Sequence, residues 1–309
     1  MSRPMLRKLL LIAVGATWAL SGLAAELNFR SPHALVMDET TGAVLLEKGV
    51  DDAVPIASLT KLMTAMVVLD ASLDGAEEIR IEDADVDGLK HTRSRLPVGS
   101  VFTRETLLEL ALMASDNRAA AALARTYPGG PDAFGAAVSR KIEALGLQKT
   151  TLVEPTGLSS RNRSSAQDLG AVVRAAGQYP EIARITSQSA QTVTVRAREV
   201  RFRNTNALVG RPGWNILLSK TGYTNEAGRC LTMRIEAAGR TLLVVLLGAS
   251  NAAHRTIDAL NVQRWALGIA PVYGTARPHR VAKAGTRPAR KGRHAALLQA
   301  SKKAPSDPA

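Results

Sequence analysis

The sequence predicts an α/β fold of the α+β type, in which an antiparallel sheet is flanked by helices and carries an inserted all-helical lobe. Strand-like segments occur near both ends of the folded region, and helical segments occupy the middle. The strands nearest the C-terminus follow one another through short turns, which is typical of antiparallel pairing. We therefore expect the first and last strands to share one sheet, and the helical lobe to span about residues 70–180.

The N-terminal part begins with a predicted hairpin. Residues 31–50 alternate apolar and polar side chains around the turn-forming pair Thr41-Gly42. A helix is predicted next, from Ser58 to about Leu69, because residues 62–69 are almost wholly apolar. This apolar run indicates a helix that enters the core.

The middle of the chain carries helix start and stop signals. The predicted helices are 103–125 with a break near Ser115, 131–145, and 165–176. Pro131 suits the first turn of a helix, and Gly146 ends that helix. Ser165 followed by Asp168 resembles a capping box.

The C-terminal part of the folded region is predicted to be mostly strands. After Pro180 the predicted strands are QTVTVRAREVRFRN, WNILLSKTGY, GRCLTMRIEAAGR and TLLVVLLGAS. Gly239-Arg240 is the predicted turn between the last two. A closing helix is predicted over residues 251–267.

Residues 1–25 are predicted to be a signal peptide. Three basic residues within the first eight precede an apolar run that ends in small residues, with cleavage expected after Ala24 or Ala25. A membrane anchor is the alternative, but the apolar run is short for a span. The expected location of the mature protein is the periplasm.

Residues 276–309 are predicted to be a basic, disordered tail. The tail carries a formal charge of +8 and the signal segment +3, out of +13 for the whole chain. The body, residues 26–275, is therefore close to neutral, which argues against a nucleic-acid-binding face. The tail has too little apolar surface to fold alone, and it could contact the anionic cell envelope electrostatically.

Metal and cofactor sites are not predicted. Cys230 is the only cysteine, so it forms no internal disulfide or cysteine-rich zinc site, and it lies in an apolar run that predicts a buried strand. The histidines show no metal-ligand spacing; they are His33, His91, His254, His279 and His294. We also find no glycine-rich phosphate loop.

The first candidate for chemistry is the pair Ser58 and Lys61. Three residues on a helix is about one turn, so both side chains share a face. A serine becomes a nucleophile when a nearby amine that is partly neutral accepts its proton. Helix capping by Ser58 is the alternative explanation.

The second candidate is Ser115-Asp116-Asn117, a polar triplet that interrupts an apolar helical stretch. A surface turn is the simplest explanation. In a cleft, Ser115 would relay a proton between Lys61, Lys220 and a leaving amine. The Asn117 amide would bind a substrate carbonyl or hold Lys61.

The third candidate is Lys220-Thr221-Gly222, which ends an apolar strand. Gly222 would let a substrate backbone lie close to the strand edge. Lys220 and Thr221 would bind a carboxylate, and the Tyr223 N–H could donate to an oxyanion.

Together, Ser-x-x-Lys, Ser-Asp-Asn and Lys-Thr-Gly occur in the order and contexts typical of penicillin-binding proteins and class A β-lactamases. The chain resembles the serine D-Ala-D-Ala peptidases, the low-molecular-mass penicillin-binding proteins, from about Pro32 to Leu267. The stretches VPIASLTKLMTAMVVLD, EPTGLS, FRNTNALV and LLSKTGYTNEAGRCLTM are most similar to the D-alanyl-D-alanine endopeptidase branch.

This resemblance implies a β-lactamase/DD-peptidase-like fold and a catalytic domain over residues 26–275. It implies Ser58 as the acylated nucleophile, Lys61 as its base, and Ser115 with Asn117 as the second motif. The backbone N–H groups of Ser58 and Tyr223 would form the oxyanion hole. The implied substrates are D-Ala–diaminopimelate cross-links of peptidoglycan, with β-lactams as covalent inhibitors.

Three alternatives remain at this point. One is a D-Ala-D-Ala carboxypeptidase. The second is a β-lactamase, for which Glu154 would be the deacylating base, although its Glu-Pro-Thr-Gly-Leu context indicates a structural residue. The third is a non-enzymatic envelope-binding protein with a retired site, which the intact motifs disfavour.

Overall fold

The computed structural model describes residues 27–272, so the predicted signal peptide and basic tail lie outside the described residues. The central sheet has five antiparallel strands in the order β2-β1-β11-β10-β9. These strands are β1 (His33–Asp38), β2 (Val44–Lys48), β9 (Asn215–Thr224), β10 (Gly228–Ala237) and β11 (Arg240–Ala249). The predicted pairing of the N-terminal hairpin with the C-terminal strands is confirmed.

Helices cover both faces of this sheet. They are α1 (Thr60–Asp70), α2 (Arg104–Met113), α3 (Asn117–Arg125), α4 (Gly130–Ala144), α5 (Ala166–Ala176), α6 (Pro180–Ser187) and α7 (Ala252–Ala266). Alternate strand residues face opposite sides, so Leu35 packs in the core with α1 and α5 while Val36 packs in the core with α7. Burial on both faces explains why β11 is a continuous apolar run rather than an alternating one.

Helix α1 is the central helix of the larger core. Its residues Thr60 to Val68 are all buried, which explains the apolar run seen in the sequence. The helix starts later than predicted, because Ala57–Leu59 form a separate 3-10 turn before Thr60. Ser58 therefore lies inside that turn and does not cap α1. The Thr60 N–H instead donates to the Ala57 and Ser58 carbonyl oxygens of the turn.

Three short pairs of strands lie outside the central sheet. They are β3 (Val54–Pro55) with β6 (Arg163–Ser164), β4 (Glu78–Arg80) with β5 (Val101–Thr103), and β7 (Ala190–Val195) with β8 (Arg198–Arg203). The run QTVTVRAREVRFRN thus forms a hairpin apart from the central sheet. Its turn, Arg196-Ala197, has φ values of 47° and 61°, which suit a tight hairpin turn.

Two further predictions were wrong in detail. Helix α6 occupies residues predicted to begin the strand region; Ile182 and Ile185 are three apart and both buried, as on one helix face. Ser165 does cap α5 by accepting from the Asp168 N–H, but the Asp168 carboxylate accepts from Lys149 and Thr150 and does not close a capping box. Within residues 27–272, no helix has the length and hydropathy needed to cross a membrane.

Candidate active site

Ser58 and Lys61 lie together at the start of the central helix. The Lys61 Nζ lies 3.0 Å from the Ser58 Oγ, so the predicted shared face is present. Ala57, the residue before the serine, has a φ of 48°. A non-glycine residue in this left-handed region stores strain, which the surrounding structure must hold in place.

Lys61 is buried, with 1% of its surface exposed, and has three oxygen partners. Its Nζ lies 3.0 Å from the Ser58 Oγ, 2.6 Å from the Asn117 Oδ1 and 2.7 Å from the Thr156 carbonyl oxygen. Burial lowers the pKa of Lys61 from 10.5 to about 8, although the carboxylates of Glu154, Asp116 and Asp87 oppose the shift.

The partners also determine where the neutral amine directs its lone pair. A neutral amine has two N–H groups and one lone pair. The Asn117 Oδ1 and the Thr156 carbonyl can only accept hydrogen bonds, so each takes one N–H. The lone pair is then left facing the Ser58 hydroxyl, which is the arrangement needed to remove its proton.

Ser115 lies in the loop between α2 and α3, as predicted. Its φ is 58°, and its Oγ accepts a hydrogen bond from the Lys220 Nζ at 2.8 Å. The next residue, Asp116, caps α3 by accepting from the Ala119 N–H. Since α3 begins at Asn117, this cap positions the first turn that carries the Asn117 amide.

Lys220 is the second buried lysine of the site. It lies in β9 with 1% of its surface exposed, and it also donates to the Thr221 carbonyl at 3.0 Å. Burial lowers its pKa well below the usual value, and the positive charges of Lys61 and Arg255 lower it further. The Thr221 hydroxyl is bonded to the Thr205 hydroxyl at 2.7 Å.

Two glycines let the backbone of Ser58 lie against its neighbours. A Cβ on Gly222 would lie 3.1 Å from the Ser58 nitrogen, and a Cβ on Gly157 would lie 2.8 Å from it. Gly222 lies in β9, an edge strand of the central sheet. The Tyr223 side chain is 48% exposed, with the Arg229 guanidinium 3.6 Å from its ring centre.

The structure therefore brings the three sequence motifs to one place. A profile of the peptidase S11 family, described as D-alanyl-D-alanine carboxypeptidase, matches residues 22–251. The chain belongs to this family. It is a serine peptidase with the fold of the penicillin-binding proteins.

The peptidase is similar to curated proteins named D-alanyl-D-alanine endopeptidase. The protein from Pseudomonas aeruginosa is 44% identical over 247 residues, covering 79% of this chain and 80% of that protein. The protein from Escherichia coli K12 is 40% identical over 252 residues, covering 81% of each. A Bacillus subtilis protein named D-alanyl-D-alanine carboxypeptidase DacF is 29% identical and covers 75% of this chain and 60% of its own length.

Solved structures with the same fold include a DD-transpeptidase and a penicillin-binding protein homolog. A variant of the Streptomyces K15 DD-transpeptidase has a TM-score of 0.72 at 25% identity, covering 79% of this chain and 100% of that one. An evolved penicillin-binding protein homolog from Mycobacterium tuberculosis has a TM-score of 0.72 at 26% identity, covering 81% and 96%. These likenesses confirm the predicted fold class.

Several residues that contact the site of the peptidase were not singled out from the sequence. They are Asp87, Thr92, Thr156, Gly157 and Thr205. The stretch EPTGLS, which carries Thr156 and Gly157, was noted only as a resemblance. The Thr156 carbonyl oxygen contacts Lys61, and Gly157 lies against Ala57 and Ser58 because it has no side chain. Neither feature is visible as a reactive group in a sequence.

Glu154 organises the loop that follows it in the peptidase. Its carboxylate accepts from the N–H groups of Thr156, Gly157 and Ser159 at 2.7, 2.7 and 3.2 Å, and from the Thr156 hydroxyl at 2.5 Å. These bonds hold the Thr156 carbonyl toward Lys61. They agree with the structural role predicted for Glu154.

Metal-binding side chains are not clustered in the part of the peptidase that the structure describes. Among residues 27–272, no three or more His, Cys, Asp or Glu side chains are grouped as a metal site. Cys230 is buried in β10, as predicted, and burial raises the pKa of its thiol to about 11.

Proposed function

We propose that this protein is a D-alanyl-D-alanine endopeptidase that cleaves D-Ala–diaminopimelate cross-links in peptidoglycan through an acyl-enzyme on Ser58. The contact between Ser58 and the buried, low-pKa Lys61 carries the proposal for the chemistry. The relatives named D-alanyl-D-alanine endopeptidase, at 44% and 40% identity, support the choice of bond.

Acylation begins when Ser58 attacks the D-Ala carbonyl carbon. The Ser58 proton passes to the neutral Lys61 amine as the Oγ–C bond forms, and the carbonyl oxygen becomes an oxyanion. The backbone N–H groups of Ser58 and Tyr223 are proposed to stabilise that oxyanion. The C–N bond then breaks, leaving an ester on Ser58.

The departing amine needs a proton. Ser115 is proposed to donate it and to regain one from Lys220, which lies 2.8 Å away. Lys220 and Thr221 are proposed to bind the carboxylate of the leaving residue. Asn117 is proposed to hold Lys61, since its Oδ1 already accepts from that lysine and its amide nitrogen is bonded to Thr92.

Deacylation uses a water molecule. Lys61 is first proposed to return the proton it took from Ser58 to Lys220 through Ser115, which restores its neutral amine. The water then gives a proton to Lys61 and adds to the ester carbon, after which the C–Oγ bond breaks and Lys61 returns that proton to the Ser58 Oγ. Glu154 is a poor candidate for a fast deacylating base, because its oxygens are used by the loop N–H groups. We therefore propose slow hydrolysis of the penicilloyl ester and not β-lactamase activity.

The decisive chemical test is covalent labelling by a fluorescent penicillin. Wild-type protein should form a stable adduct, and a tryptic digest should place it on the peptide that carries Ser58. Ser58→Ala should form none, although it melts at the wild-type temperature. An adduct on Ser58→Ala would reject the proposed nucleophile, and turnover of penicillin within seconds would indicate a β-lactamase.

A D-Ala-D-Ala carboxypeptidase is the second candidate, because the matching family profile is described by that activity. Purified protein should be incubated separately with cross-linked muropeptide dimers and with monomeric pentapeptides, and the products identified by mass spectrometry. Conversion of dimers to monomers supports the endopeptidase. Release of terminal D-Ala alone supports the carboxypeptidase, and no cleavage of either substrate supports a binding protein.

We propose a periplasmic location with removal of residues 1–25, based on the sequence of that segment. N-terminal sequencing of protein recovered from the periplasmic fraction should begin at residue 25 or 26. We also propose that the basic tail contacts anionic envelope polymers. Salt-sensitive sedimentation of the mature protein with isolated cell walls, lost on deletion of residues 276–309, would support this contact.

A further inference from the structure

A chain of hydrogen bonds continues beyond Asn117, away from the reacting groups. The Asn117 Nδ2 donates to the Thr92 Oγ1 at 2.9 Å. The Thr92 hydroxyl in turn donates to the Asp87 Oδ2 at 2.7 Å. The other end of the Asn117 amide, Oδ1, accepts from Lys61 at 2.6 Å.

The direction of every bond in this chain follows from the chemistry of the groups. A carboxylate can only accept. Burial acts to raise the pKa of Asp87, but hydrogen bonds from Thr92, Lys90 and Leu89 outweigh it and lower the pKa, which keeps the group ionised. Thr92 has one hydroxyl proton, which goes to Asp87. Its oxygen is then free only to accept, so it must face the NH₂ end of the Asn117 amide.

We propose that Asp87 and Thr92 are positioning residues that fix the orientation of the Asn117 amide so that its oxygen faces Lys61. This inference rests on the proposed function. A reversed amide would place its NH₂ group against the Lys61 N–H groups, and the lysine would lose an acceptor in a buried site. The neutral amine would then no longer be held with its lone pair toward Ser58.

The loop that carries these two residues is anchored on both sides of the site. The Asp87 carboxylate also accepts from the Leu89 and Lys90 N–H groups at 2.8 and 3.0 Å, which closes the loop on itself. The Lys90 Nζ lies 2.7 Å from a carboxylate oxygen of Glu226, in the turn between β9 and β10. The loop therefore connects the Asn117 side of the site to the sheet that carries Gly222.

Four charged side chains act on Lys61 or lie near it, so a positioning effect has to be separated from a charge effect. Asp87, Asp116 and Glu154 raise its pKa, and Lys220 lies on the sheet side. Replacing Thr92 leaves all four charges in place. A Thr92 substitution therefore tests the bonding chain without removing a charge from the site.

The test compares Thr92→Val, which has the same shape but cannot accept, with Thr92→Ser, which keeps the hydroxyl. Thr126→Val is the matched control. The Thr126 hydroxyl, at the opposite end of α3, also makes one donated bond, to the Ala122 carbonyl, and one accepted bond, from the Arg104 guanidinium. The measurement is the rate of Ser58 acylation by a fluorescent penicillin from pH 6 to pH 10, alongside the melting temperature of each variant.

We expect Thr92→Val to reduce the maximal acylation rate by about tenfold at every pH, as befits one lost hydrogen bond at the site. Thr92→Ser and Thr126→Val should stay within about twofold of wild type. Melting above the assay temperature shows that Thr92→Val is folded. Equal rates for Thr92→Val and wild type, or equal losses for the valine and serine variants, would overturn the inference. Absence of labelling in wild type would instead reject the proposed function.

Discussion

Gly157 offers a direct test of how rigidly the fold holds the Ser58 backbone. It is buried, with a φ of 85°, and an added Cβ would lie 1.9 Å from the Ala57 carbonyl oxygen and 2.3 Å from its carbon. Ordinary contact begins at 3.4 Å, so Gly157→Ala must separate the two backbones by about 1.5 Å. The shift displaces either the turn that carries Ser58 or the loop whose Thr156 carbonyl holds Lys61, and both position reacting groups.

The expected cost has two parts. Forcing alanine into the left-handed region destabilises the fold by about 1–2 kcal/mol. Displacing a reacting group by about 1 Å reduces a rate by about a hundredfold. We therefore expect Gly157→Ala to label with a fluorescent penicillin at least about a hundredfold more slowly than wild type, measured as a second-order rate constant at 25 °C.

Gly213→Ala is the matched control. Gly213 has a φ of 82°, and a Cβ there would meet no atom within 4 Å. The control therefore has comparable backbone strain without the clash, and we expect a lower melting temperature with nearly wild-type labelling. If Gly157→Ala labels within about threefold of Gly213→Ala, the close approach of the two backbones is not what positions Ser58.

Three further predictions follow from the charges and burial of the site. The acylation rate of wild type should rise about tenfold per pH unit up to about pH 8 and then level off, because only the neutral form of Lys61 accepts the serine proton. A flat profile from pH 6 to pH 9 would exclude Lys61 as the base. Asp116→Asn should move this rise to lower pH, because the lost charge no longer raises the pKa of Lys61. Helix α3 should stay capped, since asparagine caps as well as aspartate. A shift to higher pH in the same labelling assay would contradict this. Cys230 should resist Ellman's reagent at pH 8 in the folded protein and react fully in denaturant, because burial raises the pKa of its thiol to about 11. Rapid reaction of the folded protein would show that β10 opens.

Much of the fold follows from local signals in the sequence. The hairpin around Thr41-Gly42, helix α4 between its proline and Gly146, and the closing helix α7 all lie where turn and capping residues predict them. Apolar runs bounded by turn residues also place the three longest strands, β9, β10 and β11, correctly. These elements are predictable because their boundaries depend on backbone chemistry within a few residues.

The errors occurred where tertiary contacts decide between local alternatives. Residues 180–187 are short enough to form either a helix or a strand, and burial of Ile182 and Ile185 on one face favours the helix. Hairpin β7–β8 has strand-like residues but pairs only with itself, and β9 remains the edge strand of the central sheet. Strand propensity predicts a strand but does not name its partner.

The sequence by itself determined which reactive groups are present and that Ser58 and Lys61 share a face, because they are one turn apart. Only the tertiary structure decided how those groups are tuned. Lys61 meets Asn117 and Thr156 across 56 and 95 residues of chain, and Lys220 meets Ser115 across 105. The pKa of Lys61 falls because the whole core removes it from water. Desolvation is a property of the packed fold, so it cannot be read from the residues on either side of a lysine.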